Sequence, residues 1–436
     1  MNSSPNHDNR RPVYLVDGCR TPFLKVAGAR NPFSAADLAA LSGRLLLLRQ
    51  PLEPGDLDEV ILGCVVPSPD EANVARVAAL RMGCPKQVTA MTVQRNCASG
   101  MQAVDTAARS IALGMADLIL AGGTEAMSHA PLQWSPELVD WLGRWRGSRT
   151  WVEKLKALAA LRPAWLNPVV VLLRGLTDPT VGLSMGQTAE ILAHRFNIAR
   201  DSMDRFALQS HARLGQAVDK GSLAAELVPL MDREGQLFPE DQGLRRNSSL
   251  ESLSQLKPVF DRTYGLLTAG NSAQITDGAC WLLLASEEAV ARHGLQPLAQ
   301  LDPAVWAGVA PEQMGLGPVH AIDKLLRKTG LNLDDIDLWE INEAFAAQVL
   351  ACVEALADES YCQTELGRDA PLGRIDPQRL NVDGGAISIG HPVGASGARI
   401  ILHLAHQLKQ AGQGSRGVAS LCIGGGQGGA MMLQAV

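Results

Sequence analysis

Two stretches far apart in this chain carry the same short patterns in the same order. Asp56-Leu57-Asp58-Glu59-Val60-Ile61-Leu62 is echoed by Asp335-Ile336-Asp337-Leu338-Trp339-Glu340-Ile341. Further on, Cys97-Ala98-Ser99-Gly100-Met101-Gln102-Ala103, a helical run and Leu120-Ala121-Gly122-Gly123 follow the first copy. Their echo is Gly394-Ala395-Ser396-Gly397-Ala398-Arg399, a helical run and Leu421-Cys422-Ile423-Gly424-Gly425-Gly426. A repeat of this kind implies one folding unit used twice, which commonly leaves a site between the copies.

Each copy reads as alternating strand and helix. After Cys97, the apolar residues Met101, Val104, Ala108 and Ile111 recur at steps of three and four, the period of a helix with one buried face. Asp117 to Ala121 reads as a strand ending in Gly122-Gly123, and its unbroken apolar run Leu118–Ala121 suits a parallel strand covered on both faces. Upstream, Pro12–Val16 reads as a strand closed by turns at Asp17-Gly18 and at Arg20-Thr21-Pro22. A helix over Ala35–Leu48, a strand over Val60–Val66 and a helix over Asn73–Arg81 complete this half. From Met127 to about Lys257 prolines, tryptophans and short helical runs replace the alternation, as in an inserted domain. Thr268–Gly278 is a polar loop before the strand Cys280–Ala285. The expected partition is a polar tail at 1–10, a first half at 11–129 with 258–289, an insert at 130–257 and a second half at 290–436.

At 436 residues, with 46% hydrophobic and 19% charged residues, the composition is that of a globular α/β enzyme. A net charge of −6 gives no reason to expect nucleic acid as a partner. Eight cysteines without a C-x-x-C pair point neither to zinc nor to a disulfide framework, so a reducing, cytoplasmic compartment is expected and no metal. No apolar run reaches the length of a membrane span, and the polar first ten residues do not resemble a secretory signal.

Four motifs carry chemistry. Asn96-Cys97-Ala98-Ser99-Gly100 places a cysteine where a helix begins, and free N–H groups with the helix dipole would favour its thiolate. The same residue could equally be a small buried hydrophobe. The others are Asn342-Glu343-Ala344-Phe345, the glycine-rich loop Asn381–Gly397 with its single His391, and Cys422-Ile423-Gly424-Gly425-Gly426.

Taken together and in this order, the motifs resemble those of the thiolase family, from about Pro12 to the carboxyl end. The resemblance implies two βα halves stacked as a five-layer α-β-α-β-α sandwich, each with a mixed five-stranded sheet, plus an inserted loop domain. It implies that Cys97 is acylated, that His391 activates it and that Cys422 is the acid/base. Breaking a carbon–carbon bond beside a ketone needs a nucleophile for the carbonyl and a proton donor for the enolate, and two thiols in different settings can divide that work. The backbone N–H groups of Cys97 and Gly424 would form one oxyanion hole. His391 and a water held by Asn342 would form the other. Coenzyme A is implied as co-substrate, with no permanently bound cofactor. Its implied contacts are Arg245, Ser252 and Phe260 in Leu244–Phe260, together with Met185, Ser272 and Phe345. Ala273 and Ser184 depart from the residues that short-chain members carry there, Ser and His respectively.

The expected reaction is thiolysis of a 3-ketoacyl-CoA to acetyl-CoA and a shortened acyl-CoA, as in fatty-acid β-oxidation. The reverse Claisen condensation by a biosynthetic acetyl-CoA acetyltransferase is the alternative, and a noncatalytic acyl-CoA or lipid-binding relative is a remote one. A decarboxylating ketoacyl synthase would not need Cys422. A homodimer or homotetramer is implied. The stretch Trp134–Arg174 holds five of the eight tryptophans and seven basic residues against three acidic ones. Tryptophan beside Lys, Arg and short apolar runs suits an interface. The layout resembles thiolase subunits of trifunctional fatty-acid-oxidation complexes. Peripheral membrane contact, a hydratase/dehydrogenase partner, or a buried lid over the acyl pocket are the alternatives there.

Overall fold

The computed structural model describes residues 11–436; the expected polar tail at 1–10 lies outside the described residues. An eleven-stranded sheet path runs through both halves. In spatial order its main strands are Leu338–Ile341, Arg416–Ile423, Gln427–Ala435, Ala299–Leu301, Val13–Arg20, Thr276–Ser286, Leu118–Ala126, Glu59–Gly63 and Thr89–Val93. The two halves meet at a short register, Tyr14 opposite Gln300 and Leu15 opposite Ala299. Each half is mixed. Glu59–Gly63 lies parallel to both Thr89–Val93 and Leu118–Ala126, and Leu338–Ile341 lies parallel to Arg416–Ile423, while the remaining pairs are antiparallel.

Helices fill the layers around this path. Ala35–Leu48 and Val74–Met82 cover the outside of the first half, and Gly317–Thr329 covers the outside of the second. Between the halves lie Ser99–Ala112 and Ser396–Ala411, packed on their own strands and on each other. Both central helices begin at the serine of an Ala-Ser-Gly triplet, so the repeat in sequence is a repeat in space. Met101, Val104, Ala108 and Ile111 are all fully buried along the first. This is the five-layer arrangement expected.

The central layer is thin because glycines make it so. A Cβ on Gly100 would sit 2.8 Å from Ala398 N and Gly394 O, and one on Gly397 would sit 2.6 Å from Met101 N. A Cβ on Gly123 would overlap the Gly394 carbonyl oxygen. Glycine therefore does not end the strand at Gly122-Gly123 as expected; the strand runs on to Ala126 because side-chain-free residues let the second half approach. The turn expected at Asp17-Gly18 is likewise absent. That strand continues to Arg20 across a register shift between Leu15 and Asp17, with Asp17 bound to Arg49 Nε at 2.7 Å.

The stretch 130–257 is tied to both halves by a buried ion network. Arg20, fully buried, donates Nε to Glu226 at 2.7 Å and Nη1 to Asp241 at 2.7 Å. The second carboxylate oxygen of Glu226 meets His403 Nδ1 at 2.9 Å. His403 and Arg20 hold the Glu226 carboxyl far below its ordinary range against the opposing effect of burial.

Replacing Gly123 with Ala is expected to lower stability by about 2 kcal/mol or more, because packed backbone rather than a flexible side chain must move. Gly143, on an exposed helix with open space around its Cβ position, should tolerate Ala without loss. Denaturant melts of the two variants check this; equal midpoints would contradict it.

Candidate active site

Cys97 sits on a tight turn, Arg95 to Ala98, closed by Ala98 N–H donating to Arg95 O at 2.9 Å. Ser99 braces it: its hydroxyl accepts from Arg95 N–H at 2.9 Å and donates to Asn96 O at 2.7 Å. Cys97 is the one cysteine of eight that is half-buried rather than fully buried. The N–H groups of Gly424 and of Cys97 itself act to lower the thiol's pKa. Burial acts more strongly and the nearby Glu125 adds to it, so the thiol is raised overall. The resting thiolate expected from the helix dipole is thus not what this setting favours. The helix starts two residues after Cys97, at Ser99.

His391 enters from the second half on the loop ahead of Ser396–Ala411. Its Nδ1 lies 2.6 Å from Ser396 Oγ, whose own proton is directed at Pro392 O, 3.1 Å away. A hydroxyl has one proton, so Ser396 accepts from Nδ1–H and leaves Nε2 as the basic nitrogen. Nε2 is buried without a partner among the described residues. Burial, aided by Arg399, pushes the His391 pKa down to about 4, so the ring is neutral near pH 7.

Cys422 ends the strand Arg416–Ile423 and is buried. Burial raises its thiol well above the ordinary range, and the charge of Cys97 is the next cause, followed by Cys352. Cys97 of one copy and Cys422 of the other are therefore electrostatic neighbours. Asn342 is fully buried, and neither its Nδ2 nor its Oδ1 has a partner among the described residues. Two orphaned amide atoms suit a small polar guest such as a water. Next to it, the Glu343 carboxylate accepts from Ser210 Oγ at 2.7 Å, Asn381 Nδ2 at 3.0 Å and Ile387 N–H at 3.2 Å. Those bonds fasten the Asn342 segment to the loop that carries His391.

The residues expected to grip coenzyme A divide into two groups. Met185 faces Gly424, with Sδ 3.1 Å from where a Gly424 Cβ would lie. Phe260 and Phe345 meet edge to face at 5.6 Å, and Phe345 bridges to Ser272, whose buried hydroxyl has no partner among the described residues. The structure therefore gathers these four around the Gly424 side of the site. Arg245 and Ser252 lie at the surface. The Ser252 hydroxyl is already engaged by Ser249, accepting from its N–H at 3.1 Å and donating to its O at 2.8 Å. Sequence reasoning missed Ser396, Glu343 and Asn96 as members of the site. All three stood inside the motifs, but nothing in their spacing showed which way they point. No cluster of His, Cys, Asp or Glu suited to a metal ion occurs among the described residues.

The family model described as "Thiolase, N-terminal domain" matches residues 13–288, and "Thiolase, C-terminal domain" matches 295–435. The chain is 40% identical to a beta-ketoadipyl-CoA thiolase of Pseudomonas aeruginosa, over 98% of this chain and 100% of that one. It is 36% identical to the mitochondrial trifunctional enzyme subunit beta of Bos taurus, over 98% of this chain and 89% of that one. A crystal structure of human mitochondrial 3-ketoacyl-CoA thiolase in complex with CoA superposes with a TM-score of 0.83 at 36% identity. That match covers 98% of each chain.

Iodoacetamide should label Cys97 ahead of the seven buried cysteines, and the rate should still be climbing above pH 9, since a raised thiol yields thiolate only as pH rises. A plateau reached by pH 7 would contradict the neutral-thiol setting. Because His391 stays neutral down to about 4, no loss of kcat/KM is expected near pH 6.5 from its protonation.

Proposed function

The chain belongs to the thiolase family, and on that premise we propose how its residues carry out thiolysis. It is an acyltransferase that cleaves a 3-ketoacyl-CoA into acetyl-CoA and a shortened acyl-CoA. His391 Nε2 takes the Cys97 proton, and the thiolate attacks the C3 carbonyl. The oxyanion at C3 is met by His391 Nε2–H and a water on Asn342. As it collapses, the C2–C3 bond breaks toward C2, and Cys422 protonates that carbon to release acetyl-CoA. Incoming CoA gives its thiol proton to the Cys422 thiolate and attacks the acyl-Cys97 carbonyl, whose oxyanion faces the N–H groups of Cys97 and Gly424. Cys97 leaves as thiolate and recovers its proton from His391. The observation that supports this reading is the electrostatic coupling of Cys422 to Cys97, one thiol from each copy of the repeat, together with an imidazole nitrogen of His391 left buried and unpartnered among the described residues.

Coenzyme A is the co-substrate, and Met185, Phe260, Ser272 and Phe345 line its route, with Arg245 and Ser252 at the outer end. A degradative, β-oxidation role is the leading reading over a biosynthetic acetyl-CoA acetyltransferase. The Pseudomonas relative supports a second substrate, a 3-ketoacyl-CoA ending in a carboxylate. A cytoplasmic homodimer or homotetramer is proposed; among the described residues Thr89–Val93 closes one end of the sheet, pairing only with Glu59–Gly63.

The insert supports a contact with an anionic membrane surface or a hydratase/dehydrogenase partner. Its helix Trp151–Ala159 has no buried residue, and Trp151 is 73% exposed. A buried lid is at odds with that exposure. Its cations, Arg144, Arg146, Arg149, Lys154, Lys156, Arg162 and Arg174, form no ion pair among the described residues.

Cys97→Ala is expected to lose thiolysis by on the order of 10⁴-fold or more. Cys422→Ser should still take an acetyl group from acetyl-CoA yet fail to exchange its α-protons with deuterium; normal exchange would remove Cys422 from the acid/base role. Thiolysis rates for short, medium and long 3-ketoacyl-CoAs and for 3-oxoadipyl-CoA rank the substrates. Flotation with anionic liposomes at low salt, lost on replacing Arg144, Arg146 and Arg149 by Glu, would support the membrane contact; no flotation at any salt would refute it.

A further inference from the structure

Gly424 lies in the three-residue loop that joins Arg416–Ile423 to Gln427–Ala435. Ile423 opposite Gln427 is the last pair of that ladder, so the Gly424 carbonyl has no strand partner. The next two residues, Gly425 and Gly426, have φ of +88° and +81°. A run of glycines costs little to rotate, and nothing within the loop fixes the peptide that follows Gly424. The peptide that precedes it carries the N–H that lowers the Cys97 thiol's pKa. Its direction holds only while residue 424 is held on both sides.

The second hold comes from the other half of the protein. Asn96, immediately before the nucleophile, donates Nδ2 to Gly424 O at 2.8 Å. A carbonyl oxygen only accepts, so the amide group facing it is the NH₂, and Oδ1 turns to Gln94 Nε2 at 3.4 Å. Asn96 also has φ of +44°, one of three non-glycine residues described with positive φ. Asparagine tolerates that region better than most side chains. One residue therefore does two things: it lets the chain turn sharply enough to present Cys97, and it ties that turn to the loop of Gly424. Met185 packs beside Gly424, its Sδ 3.1 Å from where a Gly424 Cβ would lie.

We propose that Asn96 is a positioning residue, whose side-chain amide anchors the Gly424 loop so that the Gly424 N–H stays directed at Cys97 and at the oxyanion of the acyl-enzyme. This rests on the reading that Cys97 is the acylated residue. Asn96 acts through Gly424.

Two variants separate the tether from the turn. Asn96→Gly keeps the positive φ and removes the amide. Asn96→Asp keeps the shape but sets a carboxylate against the Gly424 carbonyl. Both should lower kcat for thiolysis by on the order of 10- to 100-fold, with KM for the 3-ketoacyl-CoA within about twofold. The alkylation profile of Cys97 should move to higher pH, because the sulfur loses its aligned N–H. Wild-type kcat with a wild-type alkylation profile in Asn96→Gly would overturn the proposal. So would an Asn96→Gly chain that fails to fold, which would make the side chain a structural prop. Cys97→Ala, assayed alongside, keeps the two levels apart. An active Cys97→Ala removes the reading of the nucleophile itself, whereas an inactive Cys97→Ala beside a normal Asn96→Gly removes only the role of Asn96.

Discussion

The whole architecture depends on two helices approaching where no side chain can stand between them. Gly100 and Gly397 occupy equivalent places in the two copies, each pressed against the backbone of the other's helix. Gly123 and Gly394 repeat the device one layer out. A single methyl group at these points would push the halves apart. The separation would be felt at the active site, because the turn with Cys97 and the loop with His391 are the leading ends of those same helices. Packing this close transmits small shifts rather than absorbing them.

From that contact the division of chemistry follows. Each copy of the repeat delivers one thiol, Cys97 ahead of its central helix and Cys422 after the other. Burial raises both, and the charge of Cys97 raises Cys422 further, so one negative charge at a time is favoured. That suits a reaction in which one sulfur is esterified while the other trades a proton. His391 is held neutral because Ser396 fixes its tautomer and burial denies it a charge. The polar links between the parts, Asn96 to Gly424 and Glu343 to Ser210, Asn381 and Ile387, cross between segments distant in sequence.

Much of this was legible in the sequence, and what was not has a physical reason. The repeat, the two central helices and the four motifs stand in the chain as periodicity and spacing. Met101, Val104, Ala108 and Ile111 are fully buried as their period required. Strand ends were less legible: Gly122-Gly123 and Asp17-Gly18 read as breaks, but both lie inside strands, since glycine in a strand also marks a close neighbour and only the fold supplies it. The protonation setting of Cys97 was misread for a related reason. A dipole can be inferred from local sequence, whereas desolvation depends on residues arriving from elsewhere. Ser396 and Asn96 stood within recognised motifs, yet their hydrogen bonds depend on orientations that spacing does not encode.

The central claim is that the two copies supply one nucleophile and one acid/base, and that only Cys97 carries the acyl group. Its most direct measurement is mass spectrometry of the wild-type protein after brief exposure to a 3-ketoacyl-CoA without free CoA. The account predicts one shortened acyl group per chain, on the peptide containing Cys97, with acetyl-CoA released in equal amount. An acyl group on Cys422, or acetyl-CoA released with no adduct on either cysteine, would contradict it.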